Sequence, residues 1–159
     1  MKTLDLRTFD YLPIHRADFL LGAIRLAMQN VPYRWGGKIP STGLDCSGFL
    51  THLLWQHSSS FLDCRQTHNT TRLWEELDTV PDAQPGDFAF YGAKPDRPVS
   101  HVMLCLGDGL VLGQAYGDQA STDIAISVLK GRTTKALFTN YRADLVGFKR
   151  PRWAPPLVR

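Results

Sequence analysis

The segment that starts at Cys46 places the tightest constraint on the fold. After this cysteine, apolar side chains recur at the spacing of one face of an α-helix, at Phe49, Leu50, Leu53 and Leu54. The pattern predicts a helix that begins at Cys46 and ends at about His57, with this face buried. Glycines upstream, at 36, 37 and 43, predict tight loops that lead into the helix.

A cysteine at the start of a helix has a distinctive electrostatic environment. The positive end of the helix dipole and the unpaired backbone N–H groups favour thiolate, so we expect a lowered pKa for Cys46. A second segment, Ser100-His101-Val102, places a histidine at the start of an apolar run. A thiol and a base held on separate elements are typical of a cysteine hydrolase.

The rest of the chain predicts helices followed by strands. Helices are predicted over residues 17–30 and, shorter, over 71–77. Strands are predicted over about 87–91, 101–106, 110–116, 123–128 and 144–149. This order indicates an α+β fold, in which the Cys46 helix packs on a central antiparallel sheet of about five to six strands.

Size and composition agree with one globular catalytic domain over residues 1–159, with an irregular tail at 153–159. The net charge of +3 without a long Lys/Arg run argues against nucleic acid as a partner. No apolar run approaches the length that membrane insertion needs, which is about 18 residues. The first residues lack the apolar segment of a secretory signal.

Four motifs occur in a fixed order along the chain. They are Tyr33-Arg34-Trp35-Gly36-Gly37, then Asp45-Cys46-Ser47-Gly48, then Pro85-Gly86-Asp87, and then Ser100-His101-Val102. Together they resemble the NlpC/P60 family of papain-like cysteine peptidases, over residues of about 18–152. The resemblance implies the papain-like NlpC/P60 fold, Cys46 as the nucleophile, His101 as the general base and acid, and no cofactor or metal.

The same resemblance implies a substrate. Members of the family cut bacterial cell-wall peptides, and the expected bond joins γ-D-glutamate to the diamino acid, which is diaminopimelate or lysine. The alternatives are an N-acetylmuramoyl-L-alanine amidase, a thiol acyltransferase, and a non-catalytic wall-binding or phage tail module. We expect action on the cell wall, in the periplasm or outside the cell, after non-Sec delivery by a phage tail or secretion-system partner.

The residue that orients His101 can be sought on the neighbouring strand. Asp108-Gly109 predicts a two-residue hairpin turn. With that turn, His101 lies opposite Tyr116, and Gln114 lies one diagonal step away on the same face. Gln114 is therefore the candidate orienting residue, with Tyr116 and Asp118 in reserve.

Three residues near the nucleophile are candidates for contact with the reacting groups. The family resemblance implies that the Tyr33 hydroxyl helps bind the oxyanion or substrate, beside the backbone N–H of Cys46. It also implies that Asp45 and Ser47 hold the free amine of a stem peptide, although Asp45 can equally cap the helix. Asp87 is interpreted as a structural turn residue.

The remaining cysteines predict no disulfide framework. Cys105 lies in an apolar run and is expected to be a buried small hydrophobic residue. Cys64, His57 and His68 do not have the four well-spaced ligands of a structural zinc site, so no metal site is predicted.

Overall fold

The computed structural model describes residues 6–8, 14–57 and 63–156. The helices in these ranges are α1 (Arg16–Ala27), α2 (Cys46–His57), α3 (Thr70–Glu76) and α4 (Ile124–Leu129). The strands are β1 (Lys38–Ile39), β2 (Gly43–Leu44), β3 (Asp78–Val80), β4 (Phe88–Tyr91), β5 (His101–Gly107), β6 (Leu110–Gly113), β7 (Lys135–Phe138) and β8 (Leu145–Arg150). None of the described helices is long and apolar enough to cross a membrane.

Six of the strands form one antiparallel sheet, in the order β3-β8-β4-β5-β6-β7. Helix α2 packs on β5, and α1 packs on α2. This arrangement confirms the predicted α+β fold with a central antiparallel sheet. Because β5 lies in the interior of the sheet, it holds the start of α2 and its own first residue, His101, against a rigid support.

The Cys46 helix forms as its apolar pattern predicts. Phe49, Leu50, Leu53 and Leu54 are completely buried. They belong to the larger of two apolar clusters, which fills the space between the helices and one face of the sheet. Burial of these side chains stabilises the helix far more than its intrinsic propensity does, since isolated helices of this length are marginal in water.

One predicted strand is wrong. Residues 123–128 were expected to be extended, but they lie largely in α4. The Asp123 carboxylate accepts the backbone N–H groups of Ala125 and Ile126 and so caps a helix. The apolar side chains of α4 are largely solvent-exposed, so the apolar pattern does not mark a buried strand here. The edge strands β3 and β7 were not predicted, because they are short and mix polar with apolar residues.

The β5–β6 hairpin has the predicted turn but a different register. Asp108 and Gly109 both have positive φ, and Gly107 pairs with Leu110 as expected. A bulge between Cys105 and Gly107 then adds one residue to β5, and Cys105 pairs with Val111. The predicted pairing farther along the hairpin is therefore wrong, because one added residue moves every later side chain of β6 to the opposite face.

The start of the predicted tail is packed onto the domain. The Trp153 ring lies 4.9 Å from that of Phe19, and the Ala154 N–H donates to the Ile14 carbonyl. Residues 157–159 lie outside the described residues.

A buried carboxylate ties the N-terminal segment to α3. Oε2 of Glu76 accepts the backbone N–H of Leu6 at 2.9 Å and lies 2.6 Å from Nε2 of His68. Its Oε1 accepts Nε of Arg72 at 2.7 Å. These hydrogen bonds outweigh burial and keep the pKa of Glu76 below its ordinary value. The ionised carboxylate is thus the form that stabilises the fold.

We expect Glu76→Gln to lower the free energy of unfolding by about 3 kcal/mol at neutral pH, because it breaks a buried charged network. The stabilising contribution is complete above the ordinary pKa of a glutamate and is lost as the pH falls through the lower folded-state value. Urea unfolding at several pH values measures this, and the difference from wild type should shrink in acid. Glu75→Gln, one residue away and exposed, is the control and should change little. An equal loss from both variants would contradict the assignment.

Candidate active site

The Asp45 carboxylate joins the start of α2 to the loop before it. Its Oδ1 accepts the Gly48 N–H at 2.6 Å, and its Oδ2 accepts the Gly36 N–H at 3.1 Å. The Ser47 hydroxyl, which is buried, donates to Oδ1 at 3.3 Å. Asp45 therefore caps the helix, as one of its two interpretations had it. Substrate contacts of Asp45 and Ser47 stay predictions.

A close approach of two backbones fixes the loop against the helix. A Cβ added at Gly48 would collide with the carbonyl oxygen of Gly37. Glycine at position 48 lets the loop of residues 33–37 lie directly on the first turn of α2. The aromatic residues of that loop are thereby brought to the end of the helix that carries Cys46.

The Cys46 thiol lies between the start of α2 and the start of β5. Its Sγ is 3.7 Å from Oγ1 of Thr70. The nearby backbone N–H groups of Val102 and Ser47 favour the thiolate form and so act to lower the pKa of the thiol. Val102 directly follows His101, so the thiol lies where β5 begins. Within the described ranges, the backbone N–H of Cys46 has no acceptor, as an oxyanion donor requires.

Burial determines the ionisation of the thiol. Cys46 is only 8% exposed, and desolvation raises its pKa, with a further rise from the charge of Asp45. The hydrogen bonds from Thr70, Val102 and Ser47 act in the opposite direction but are weaker. The expected lowering of the pKa is therefore wrong for the free protein. The helix N-terminus does favour thiolate, but loss of water costs the charged form more.

The His101 imidazole is enclosed by tyrosines. Its Nε2 lies 2.6 Å from the Tyr141 hydroxyl, and the Tyr91 ring is 5.7 Å from its own ring. Burial and, to a smaller extent, the Arg142 cation lower the pKa of His101 to about 3, against the opposing charge of Asp144. The imidazole is thus neutral at neutral pH and can accept a proton.

Thiol and imidazole share one neighbourhood but have different hydrogen-bond partners. Thr70 is the side-chain partner of the Cys46 thiol, whereas Tyr141 is that of the imidazole. The Tyr141 hydroxyl is close enough to Cys46 for a thiolate to raise its pKa. Tyr141 is therefore hydrogen-bonded to the predicted base and within electrostatic reach of the predicted nucleophile.

Gln114, the predicted orienting residue, lies elsewhere. The bulge in β5 turns its side chain toward the helices, where Nε2 donates to the Val31 carbonyl at 2.9 Å. The hydrogen bond to the imidazole comes instead from Tyr141, in a 3₁₀ turn (Thr139–Tyr141) after β7. No sequence motif marks that turn. Of the reserve candidates, Tyr116 packs edge-on against the Tyr141 ring, and Asp118 bonds to its own loop.

Tyr33 lies beside the nucleophile. It is 3% exposed, and Gly117 lies so close to its ring that an added Cβ would collide with it. Burial raises the pKa of its hydroxyl, and the charges of Cys46 and Asp45 raise it further, so this hydroxyl stays protonated. A protonated hydroxyl at this place can donate a hydrogen bond, but its role toward an oxyanion stays a prediction.

Two of the three side chains weighed for a metal site, those of Cys64 and His68, have other partners. The Cys64 thiol donates to the Thr51 carbonyl, and His68 pairs with Glu76. Within the described ranges, no three His, Cys, Asp or Glu side chains are grouped so that they could hold a metal ion. The Asp87 carboxylate is buried and accepts both Nε and Nη2 of Arg150, which supports its structural interpretation.

We expect the Cys46 thiol to be protonated at neutral pH in the free protein. Its alkylation by iodoacetamide should therefore accelerate about tenfold per pH unit from neutrality into the alkaline range, since the thiolate is the nucleophile. Mass spectrometry of the modified peptide measures the rate. Cys46→Ala is the control, because it keeps Cys64 and Cys105, both buried with pKa values raised to about 12. If the alkylation rate of Cys46 has already reached its plateau below neutral pH, the expectation is contradicted.

Comparisons with known proteins agree with this fold and motif order. The NlpC/P60 family matches residues 30–143. The bifunctional muramidase/DL-endopeptidase CwlT of Bacillus subtilis (strain 168) is 30% identical over 89 residues, which cover 53% of this chain and 25% of that protein. The murein DD-endopeptidase MepH of Escherichia coli (strain K12) is 29% identical over 93 residues, which cover 55% of this chain and 33% of that protein. The chain thus matches only a quarter to a third of these relatives.

A solved structure shows the same architecture. The NlpC/p60 domain of the peptidoglycan hydrolase SagA superposes with a TM-score of 0.62 at 25% identity, over 85% of this chain and 97% of that one. An NlpC/P60 family protein from Bacillus cereus ATCC 10987 gives the same TM-score at 22% identity. Because the family match covers well over half of the sequence and the fold agrees with it, the chain belongs to the NlpC/P60 family.

Proposed function

We propose that this chain is a cysteine peptidase that hydrolyses amide bonds in peptidoglycan stem peptides. The proposal rests on one observation: the start of α2, which carries Cys46, lies next to the start of β5, which carries His101. The Cys46 thiol at the start of α2 lies close enough to the backbone N–H of Val102, the residue next to His101, for that N–H to favour the thiolate form. Relatives named as peptidoglycan endopeptidases support the substrate class.

The first half of the proposed reaction forms a thioester. Neutral His101 takes the proton from the Cys46 sulfur as that sulfur attacks the amide carbonyl carbon. In the proposed mechanism, the carbonyl oxygen becomes an oxyanion that accepts hydrogen bonds from the Cys46 N–H and the Tyr33 hydroxyl. The carbon–nitrogen bond then breaks, and the amine leaves with the proton that His101 carried.

The second half of the proposed reaction hydrolyses the thioester and regenerates the free enzyme. His101 takes a proton from water as the water oxygen attacks the thioester carbonyl. The carbon–sulfur bond breaks, the carboxylic acid is released, and the thiol is protonated again. Tyr141 positions the ring throughout: when Nε2–H donates to its hydroxyl, Nδ1 is left with a free lone pair as the base.

We propose the bond between γ-D-glutamate and the diamino acid as the site of cleavage. Two relatives support a bond of this type by name: CwlT is named a DL-endopeptidase, and a protein of Bacillus subtilis (strain 168) that is 26% identical over 111 residues is named a gamma-DL-glutamyl hydrolase. MepH is named a DD-endopeptidase, so the relatives as a group do not decide the bond. Delivery to the wall by a phage tail or secretion-system partner stays a prediction.

Cys46→Ala should abolish hydrolysis while leaving the fold intact, because it removes the nucleophile. Digests of defined muropeptides by wild type and variant, followed by mass spectrometry, test this. Wild type should release a fragment that ends in γ-D-glutamate and one that begins with the diamino acid. Cys105→Ala is the matched control, since Cys105 is a buried thiol in a different apolar cluster from Cys46 and should be dispensable.

The products separate the alternatives. Free muramoyl sugar would indicate an amidase, and transfer of the acyl group to an added amine would indicate an acyltransferase. Wall binding without cleavage by wild type would support a non-catalytic module. Unchanged cleavage by Cys46→Ala would end the proposal.

Tyr141→Phe should lower kcat about ten- to hundred-fold with a smaller change in KM, because it removes one hydrogen bond to the reacting imidazole. The ring of phenylalanine keeps the aromatic packing around His101. The pH profile of kcat/KM should also shift, which a purely structural effect would not cause. Gln114→Leu is the comparison, and it should alter stability more than the pH profile. The reverse outcome would return the orienting role to Gln114.

A further inference from the structure

An open cavity of about 600 Å³ adjoins the candidate active site. Ser100, which precedes His101, lines it, as does Arg142, which follows Tyr141. A third lining residue, Gly117, lies against the ring of Tyr33. The cavity is therefore lined by the chain neighbours of His101 and Tyr141 and by a residue in contact with Tyr33.

The cavity wall is rich in cations. Lys94, Arg97 and Arg142 line it, against a single acidic residue, Asp118. The Asp118 carboxylate accepts the Ala120 N–H and the Ser121 hydroxyl within its own loop. Such a wall attracts an anion.

Two of the cations that line the cavity have no close anionic partner among the described residues. The Lys94 ammonium has no partner among the described residues. Nε of Arg97 is buried without a hydrogen bond, and its ion pair with the exposed Asp96 is long, at 3.8 Å. By contrast, Arg142 binds both oxygens of Asp144, at 2.8 and 2.6 Å. The available positive charge is thus that of Lys94 and Arg97.

The backbone holds these two side chains at one tight turn. The Lys94 N–H donates to the Arg97 carbonyl at 2.9 Å, and the Arg97 N–H donates to the Lys94 carbonyl at 3.2 Å. A turn closed by two hydrogen bonds reduces the entropy lost when both cations bind one ligand. Trp35, 43% exposed, adds an apolar surface to the same cavity.

The chemistry of the proposed reaction selects the part of the substrate that meets this cavity. His101 protonates the leaving amine, so the diamino acid that supplies this amine lies on the imidazole side. Diaminopimelate carries a carboxylate and an ammonium at the end of its side chain, whereas lysine carries only an ammonium. A carboxylate there can pair with cations, and a lone ammonium cannot.

We propose that Lys94 and Arg97 bind the side-chain carboxylate of diaminopimelate, so that the enzyme prefers stem peptides with this diamino acid over those with lysine. This inference rests on the proposed function of the Cys46 site. The Trp35 surface packs against the methylene groups of the diaminopimelate side chain. Asp118 provides a counter-charge for the ammonium beside the carboxylate.

Three synthetic stem tetrapeptides test the inference. They contain diaminopimelate, diaminopimelate with an amidated side-chain carboxylate, or lysine at the third position. Wild type should cleave the first with kcat/KM about tenfold or more above the other two, the size expected of one charge-assisted hydrogen bond. In Lys94→Ala/Arg97→Ala, kcat/KM on the first peptide should fall to that on the amidated one, which should itself change less than about twofold.

The controls separate charge from folding. Lys130→Ala removes an exposed cation that does not line the cavity and should leave the preference unchanged. Lys94→Arg should retain most of it. If the double variant melts early, Lys94→Ala alone is used, since Lys94 is exposed.

The possible outcomes distinguish failure of the diaminopimelate inference from failure of the proposed function. Equal cleavage of the three peptides by wild type overturns the inference and leaves the proposed function standing. A double variant that loses all three activities equally at an unchanged melting temperature also overturns it. Failure of wild type to cleave any of the peptides removes the proposed function, and this inference with it.

Discussion

The hydrogen bonds of the Asp45 carboxylate are the constraint on which the site depends. They cap α2, hold the loop of residues 33–37 through Gly36, and bind the Ser47 hydroxyl. With the helix start fixed, the Cys46 N–H has no acceptor among the described residues, and the thiol lies close enough to the N–H of Val102 for that group to favour thiolate. The Asp45 carboxylate thus has two opposing effects. It positions the Cys46 thiol for attack, but its negative charge raises the pKa of that thiol and disfavours the thiolate.

Burial makes both reacting groups neutral in the free protein. Desolvation raises the pKa of Cys46 and lowers that of His101 to about 3, so an ion pair between them is disfavoured. A neutral pair needs proton transfer in step with attack on the carbonyl, at the moment when the oxyanion can share the new charge. Donors already directed at that place, such as a helix N-terminus, lower the cost of this charge without reorganisation.

The sequence was sufficient for the parts of the fold that depend on local pattern. The apolar spacing after Cys46 gave the correct bounds of α2, and Asp108-Gly109 gave the correct turn. It was not sufficient where a single residue changes a register. No sequence motif marks the bulge in β5, and because of this bulge the Gln114 side chain lies away from the imidazole. Tyr141 reaches His101 from 40 positions along the chain, a contact that only the tertiary structure creates.

The cavity and the imidazole are coupled through charge. Arg142 lowers the pKa of His101, and Asp144 partly opposes it. Arg142 also lines the cavity, so in the proposed binding mode a substrate carboxylate placed there counters the charge of Arg142, in the same sense as Asp144, and favours the protonated imidazole. The imidazole then holds a proton more readily during attack by the thiol. The proposed diaminopimelate preference is therefore expected in kcat as well as in affinity, because a substrate that ends in an ammonium alone does not oppose the charge of Arg142 in this way.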